Sequence, residues 1–376
     1  MNGRLAPAGH RLLPTALYLL LSCVWSLPAT FSAQAHDVKP VAGAPSQGNG
    51  TPSQPASADQ SIRVRVQVVS VPVSVLDKRG LPVIDLSQND FRVYENGRLQ
   101  TIKYFLREPL PPLRIGLILD TSNSVRPQIG FEKDAASEFV FDMLQVRASK
   151  NLIFLQTFDA ASSIVQDFTD DPELLNDKVR ALKAGGGKAL YDAIYYACKE
   201  KMLNSGPPEE LRRVLVVISD GIDVQSHHTF DEAISMARRA ETVIYLIANA
   251  RYGFTNPGDG VLVDFARRTG GAAFFPLREA VGADLETGYL SHGQIGDTSQ
   301  NKGLGAETGR FSAEKLVRLA EALESIGREL NDQYSLGYAP TNDAVDGTYR
   351  AIRVEVARKG VQVRTKAGYF ATAEQP

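Results

Sequence analysis

Leu113-Arg-Ile-Gly-Leu-Ile-Leu119 and Val214-Leu-Val-Val-Ile218 are short, almost uninterrupted apolar runs, each followed at once by a small, acidic loop. A half-exposed strand alternates apolar and polar residues. A run that is apolar at nearly every position suits a strand covered on both faces, as in a parallel sheet packed between helices. Helical periodicity fills the intervals. Phe131, Ala135, Phe139, Val140, Met143 and Leu144 fall on one helix face. Strand Asn151–Phe158, helices Pro172–Leu182 and Ala189–Met202, helix Asp231–Ala240, strand Val243–Ala248, helix Val261–Arg268, strand Ala272–Phe275 and helix Ala313–Leu330 continue the alternation. The pattern predicts an α/β domain over residues 113–332, with a doubly wound, mostly parallel sheet. Residues 277–310 are rich in Gly, Ser, Thr, Gln and Asp without a sustained period. They read as a flexible insertion, long for a structureless loop.

The flanks follow a different grammar. Val64, Val66, Val68, Val71, Val73 and Val75 alternate as a strand does, Phe91–Tyr94 reads as another, and Asn96-Gly97 marks a hairpin turn because both residues tolerate positive φ. Ile102–Phe105 is the expected hairpin partner. Residues 61–112 are thus a small antiparallel β module. β character returns over 333–376, at Tyr334–Tyr338, Ile352–Val356, Val361–Val363 and Gly368–Phe370. Small isolated sheets are marginal, so the C-terminal strands are expected to complete the N-terminal module as a β-sandwich into which the α/β domain is inserted.

Residues 1–35 carry Arg4 and Arg11, an apolar stretch from Leu12 through Phe31, and Ala33-Gln34-Ala35, the small-x-small pattern of a signal peptidase site. Pro14 and Pro28 interrupt the stretch, which favours cleavage after Ala35 and export over a stable membrane span. Leu20-Leu21-Ser22-Cys23 only loosely resembles a lipidation box. Residues 36–60 are rich in Pro, Gly, Ser and Gln and read as a disordered linker. The 376 residues hold 41 Lys+Arg against 43 Asp+Glu, a balance that argues against a nucleic-acid partner. Two cysteines exclude a disulfide scaffold, and Cys198 falls on the buried stripe of its helix.

In a doubly wound sheet, ligands bind beyond the carboxyl ends of the strands. The loops there read Asp120-Thr-Ser122-Asn-Ser124 and Ser219-Asp220-Gly-Ile-Asp223, and between those two elements in the chain sits Gly185-Gly-Gly-Lys188-Ala-Leu-Tyr-Asp192. A carboxylate and two hydroxyls at alternate positions, with a second carboxylate from a neighbouring strand, make an oxygen-only set suited to Mg²⁺ or Mn²⁺.

Asp120-x-Ser122-x-Ser124 after a buried strand, the triple-glycine loop before Ala-Leu-Tyr-Asp-Ala, and Ile-Ser-Asp220-Gly resemble the von Willebrand factor A domain. The flanking Asp90-Phe-Arg-Val-Tyr-Glu-Asn-Gly97, Gln333-Tyr-Ser-Leu-Gly-Tyr338 and Lys366-Ala-Gly-Tyr369 are similar to the secreted VWFA-related Acidobacterial domain proteins. The resemblance implies a metal ion-dependent adhesion site whose ligands are Asp120, Ser122, Ser124 and Asp220. The family's remaining ligand is a threonine directly after the Gly-rich loop, where this chain has Lys188. Two arrangements are open. The Lys188 ammonium enters the site and replaces the metal, or it swings to solvent and a weakened Mg²⁺ or Mn²⁺ site persists.

Asp192 and Asp223 flank the site and are expected to orient loops through backbone amides, with Asp223 the better outer support. Tyr195 and Tyr196 are expected to be partly buried, and His227-His228 to sit on a solvated loop. Gly185-Gly-Gly-Lys188 is not a phosphate loop, since position 182 is Leu and position 189 is Ala. No Gly-x-Ser-x-Gly elbow occurs, and nucleophile and base both lack candidates. The sequence reading is an exported protein-binding or adhesion module, not an enzyme, in which a partner's Asp or Glu would complete a bound metal's shell. Its alternative is a structural or assembly scaffold with a vestigial, metal-free site.

Overall fold

The computed structural model describes residues 68–107, 110–145, 150–208, 210–249, 256–276 and 309–372, with side chains from residue 317 onward in the last segment. The expected signal peptide, the linker, Cys23 and residues 277–308 of the expected insertion lie outside the described residues. Every described residue belongs to the compact unit that spans Arg63–Pro376.

The fold class is the one read from the sequence. A six-stranded sheet runs in the order β10-β9-β8-β5-β6-β7, formed by Ala273–Phe274, Thr242–Ala248, Arg212–Ser219, Leu113–Asp120, Leu152–Phe158 and Ser162–Thr169. β5, β6, β8, β9 and β10 are parallel, and β7 is antiparallel at one edge. Ser162–Thr169 gave no strand signal in the sequence, because an edge strand with mixed burial carries only a weak alternation.

Alternate residues of the central strands feed two cores. Ile115, Leu117 and Leu119 pack with Phe139, Val140 and Met143 of α1 (Ile129–Leu144), Leu175 and Val179 of α2 (Pro172–Ala181), and Leu323, Ile326 and Leu330 of α6 (Gly309–Asn331). Ile118, Leu215 and Val217 pack on the opposite face. Their neighbours there are α3 (Leu190–Tyr196), α4 (Phe230–Arg239) and α5 (Asp259–Thr269). The stretch expected as one helix over Ala189–Met202 starts at Leu190 and widens into a π-helical turn at Ala197–Met202, with Cys198 fully buried. Burial also pushes the Cys198 thiol well up, so it stays protonated.

The flanking strands form two four-stranded antiparallel sheets around a single core. One runs β13-β1-β11-β4 and the other β14-β12-β2-β3. Their strands are β1 (Val69–Leu76), β2 (Phe91–Glu95), β3 (Arg98–Gln100), β4 (Ile102–Leu106), β11 (Tyr334–Tyr338), β12 (Tyr349–Val356), β13 (Gln362–Thr365) and β14 (Gly368–Phe370). Ile102–Leu106 is not the hairpin partner of β2. Arg98–Gln100 takes that place, and the chain then crosses to the other sheet, where β4 pairs with β11. β3 spans three residues, so the Asn96-Gly97 turn is followed closely by a second change of direction.

Glu95 is buried at the centre of the sandwich. Its Oε2 accepts hydrogen bonds from the hydroxyls of Tyr338 (2.7 Å) and Tyr369 (2.9 Å), and its Oε1 from Arg350 Nη1 (3.3 Å). Arg350, also buried, donates further to the carbonyls of Asn342 and Ala344. Burial, and then the Glu95 carboxylate, hold the Tyr338 and Tyr369 hydroxyls well above the usual phenol range. Removing one member of a buried pair strands the other, a loss of about 3–5 kcal/mol. Glu95→Ala should therefore lower the urea midpoint sharply. Arg358→Ala, which removes the exposed pair with Asp85, should leave the midpoint nearly unchanged.

Candidate binding site at the strand ends

Asp120 is the last residue of the central strand β5, and Asp220 follows directly on its neighbour β8. Parallel register therefore delivers two carboxylates to one edge of the sheet. Asp120 is buried. Its Oδ1 accepts the Ser122 amide (2.8 Å), while Oδ2 is buried without a hydrogen-bond partner. Asp220 Oδ1 accepts the Ile222 amide (3.1 Å).

Lys188 closes the site. Its side chain is 9 % exposed, its ammonium bonds Asp220 Oδ2, and Asp120 Oδ2 lies 3.9 Å away. Burial pushes the Asp120 carboxyl up, while Ser122 and the Lys188 charge pull it the other way. Ser122 and Ser124, both expected as ligands, bond each other through their hydroxyls at 2.9 Å.

The three loops are laced by backbone bonds. Gly185 N donates to Thr121 O (2.7 Å) and Asn123 N to Gly186 O (3.2 Å). Val224 N (3.0 Å) and Gln225 N (2.9 Å) both donate to Lys188 O. Gly186 adopts φ +86°, and a Cβ there would sit 2.8 Å from Asp159 Cγ, so the loop requires glycine at this point. Asn256 adds a contact that sequence reasoning missed, donating from Nδ2 to the Asp220 carbonyl (3.1 Å). The only trace of it in the sequence is the Asn256-Pro-Gly258 turn signal.

These residues do not fit a divalent ion as they are arranged. A lysine ammonium is held between the two carboxylates that an ion would need, and the two hydroxyls are turned to one another. Among the described residues no group of three His, Cys, Asp or Glu side chains is placed to hold a metal.

Asp223 and Asp192 hold the outer loop. Asp223 Oδ2 accepts the Tyr191 amide at the start of α3 (3.0 Å) and the Ser226 hydroxyl (2.5 Å). Asp192 accepts the amides of His227 (3.0 Å) and His228 (2.9 Å) and contacts both imidazoles through Nδ1. His227 is exposed, as expected. His228 is only part-exposed: its ring stacks on Tyr195 at 3.7 Å and meets Tyr196 edge-on at 5.2 Å, and both tyrosines are partly buried.

Burial alone would raise the Asp192 carboxyl, yet the two amides and two imidazoles outweigh it and bring it down to about 2. A depressed carboxylate stabilises the fold above its unfolded value near ~4, and that contribution is lost as pH falls through about 2. Asp192→Asn should cost about 2 kcal/mol at neutral pH. Chemical denaturation should show its gap from the parent closing between about pH 4 and pH 2.

The sequence profile of the von Willebrand factor type A domain matches residues 115–222. No curated protein matches the chain by sequence. Among solved structures, the conserved hypothetical protein BatB from Bacteroides thetaiotaomicron is 15% identical with a TM-score of 0.35, over 47% of this chain and 99% of its own. An aerotolerance-related membrane protein from Bacteroides fragilis is 15% identical with a TM-score of 0.33, over 46% and 99%. Proximal thread matrix protein 1 from the mussel byssus, solved with a zinc-occupied MIDAS motif, is 16% identical with a TM-score of 0.39, over 49% and 46%. At such identities and scores the likeness does not extend to function.

Proposed function

Because residues 115–222 are a von Willebrand factor type A domain, we propose that the chain is an exported protein-interaction module that engages its partner through the strand-end loops. The observation that carries this reading is the lacing of the Asp120, Gly185–Lys188 and Asp220 loops into one fixed surface. Loops held by backbone bonds lose little freedom on binding, which favours affinity. Asn123 and Ser124 of the Asp120 loop are exposed, and so is Val224 of the Asp220 loop (70%), whose amide donates to Lys188 O. An apolar side chain amid polar loops suits a protein contact better than a small solute.

The reading contains no catalytic step. The Ser122 and Ser124 hydroxyls are engaged with each other, His227 and His228 with Asp192, and the Ser226 hydroxyl with Asp223. Export rests on the apolar, cleavable pattern of residues 1–35. No helix among the described residues is long and apolar enough to cross a membrane.

One observation favours the scaffold alternative. β3 and β4 are sheet edges, and they expose Leu99, Tyr104 and Leu106. An open edge with apolar side chains is a place where a strand from another chain can add.

Photo-cross-linking in the producing cell separates the two. With a photoreactive residue at Val224 or at Tyr104 of the full chain, the proposal expects a discrete adduct from position 224. Adducts from position 104 alone would transfer the function to the sandwich edge. N-terminal sequencing of the exported form should begin at His36, and an uncleaved chain retained in the cytoplasm would overturn the export part.

A further inference from the structure

We infer that Lys188 is the resident cation of this site, a tethered ammonium that stands in for a divalent ion and makes the strand-end surface independent of metals. The inference rests on the site's geometry and not on partner binding, so the two can fail separately.

Two carboxylates delivered to adjacent strand ends, one of them buried, repel one another unless a positive charge lies close. Lys188 supplies it, bonding Asp220 and lying 3.9 Å from Asp120 Oδ2. Its backbone is pinned in the same place, since Lys188 O accepts both the Val224 and Gln225 amides of the Asp220 loop. Main chain and side chain therefore clasp one loop from two sides. Removing the ammonium with no other cation in its place would leave the two carboxylates uncompensated.

The chemistry differs from that of a bound ion. A divalent cation has coordination positions beyond those the protein fills, and a partner carboxylate can take one. An ammonium has three donor protons and no coordination shell to complete. With the ammonium bonded to Asp220, 3.9 Å from Asp120 and its side chain 9 % exposed, the surface offers no bare cation to a partner's Asp or Glu. Recognition then falls to the rim, to the hydroxyl of Ser124, to Asn123 and to Val224.

The test uses the full-length chain titrated with Mg²⁺, Mn²⁺ or Zn²⁺ by calorimetry, with thermal melts in EDTA and in about 10 mM Mg²⁺. The parent should give no binding heat and a Tm that moves by less than about 1 °C. Lys188→Thr removes the ammonium and supplies a neutral oxygen. It should melt below the parent in EDTA, bind Mg²⁺ or Mn²⁺, and gain about 5 °C with the metal. Adding Asp220→Asn to that variant should abolish the gain.

Saturable heat from the parent that vanishes in Asp120→Ala would overturn the inference. A folded Lys188→Thr chain that takes no metal would overturn it too, because the lysine would then occupy no ion's place. Should Lys188→Thr not fold, the parent decides. The ammonium resonance of Lys188, protected from exchange and unmoved by Mg²⁺, would support the inference; loss of that protection on adding Mg²⁺ would refute it.

Discussion

A parallel sheet brings the carboxyl ends of its central strands side by side, and in this chain two of those ends carry aspartates. Placing Asp120 at the end of β5 and Asp220 just beyond β8 creates a charge problem that the fold must answer. Repulsion between close like charges in a partly desolvated site amounts to a few kcal/mol, of the order of about 4 kcal/mol at 4 Å for an effective dielectric constant near 20. The Lys188 ammonium answers it from within the chain. The triple-glycine loop is shaped to make that possible. Gly186 takes a left-handed conformation against Asp159, and the loop's amides and carbonyls tie to the Asp120 strand end on one side. On the other side they bind the loop after Asp220. The geometry of the candidate surface thus follows from neutralising the ends of two strands.

A second constraint governs how the α/β domain joins the sandwich. The chain enters at Pro111 and leaves at Gln333, and buried Arg212 at the start of β8 binds both passages. Its Nε donates to the Pro111 carbonyl (2.8 Å) and its Nη1 to Leu330 O (2.6 Å) and Gln333 Oε1 (2.8 Å). Burial lowers Arg212 to about 10, which leaves it charged near neutrality. Gln333 passes the connection on to Ser74 of β1 at 3.0 Å. Nearby, the Tyr245 hydroxyl donates to Glu329 at 2.7 Å, Arg364 of β13 pairs with the same glutamate, and Lys366 pairs with Glu241 at 2.5 Å. Charged-group hydrogen bonds of this kind are directional, so they fix an orientation that apolar packing alone would leave loose.

Much of this was legible in the residues. Continuous apolar runs mark the buried strands, Asp120, Ser122, Ser124 and Asp220 follow directly on two of them, and Lys188 stands just after the triple glycine. The flanking motifs also acquire a physical meaning. Glu95, Tyr338 and Tyr369 from three separate segments meet in one buried cluster, and Gln333 and Lys366 reach the α/β domain. Other features were not legible, for identifiable reasons. The direction of the Lys188 side chain depends on rotamers that sequence does not encode. β7 lacks alternation because an edge strand needs none. The path of Ile102–Leu106 into the second sheet turns on a change of direction at Thr101, a residue without turn character of its own. His228 looked like a loop histidine because its aromatic partners lie on another element.

The pairing of β1 with β11, and of β2 with β12, has a consequence for the order of events during synthesis. Val71 faces Leu336 and Val93 faces Val354, so each ladder joins residues separated by more than the whole α/β domain. The first strands emerge from the ribosome long before their partners exist. At about 5–20 residues per second that interval lasts tens of seconds. Throughout it, β1 and β2 lack these partners, whereas the α/β domain, whose last helix ends at Asn331, has its full sequence before β11 begins. The sandwich is completed last, and the final residues of the chain, Val363 against Val75 and Tyr369 against Arg350, are those that close it.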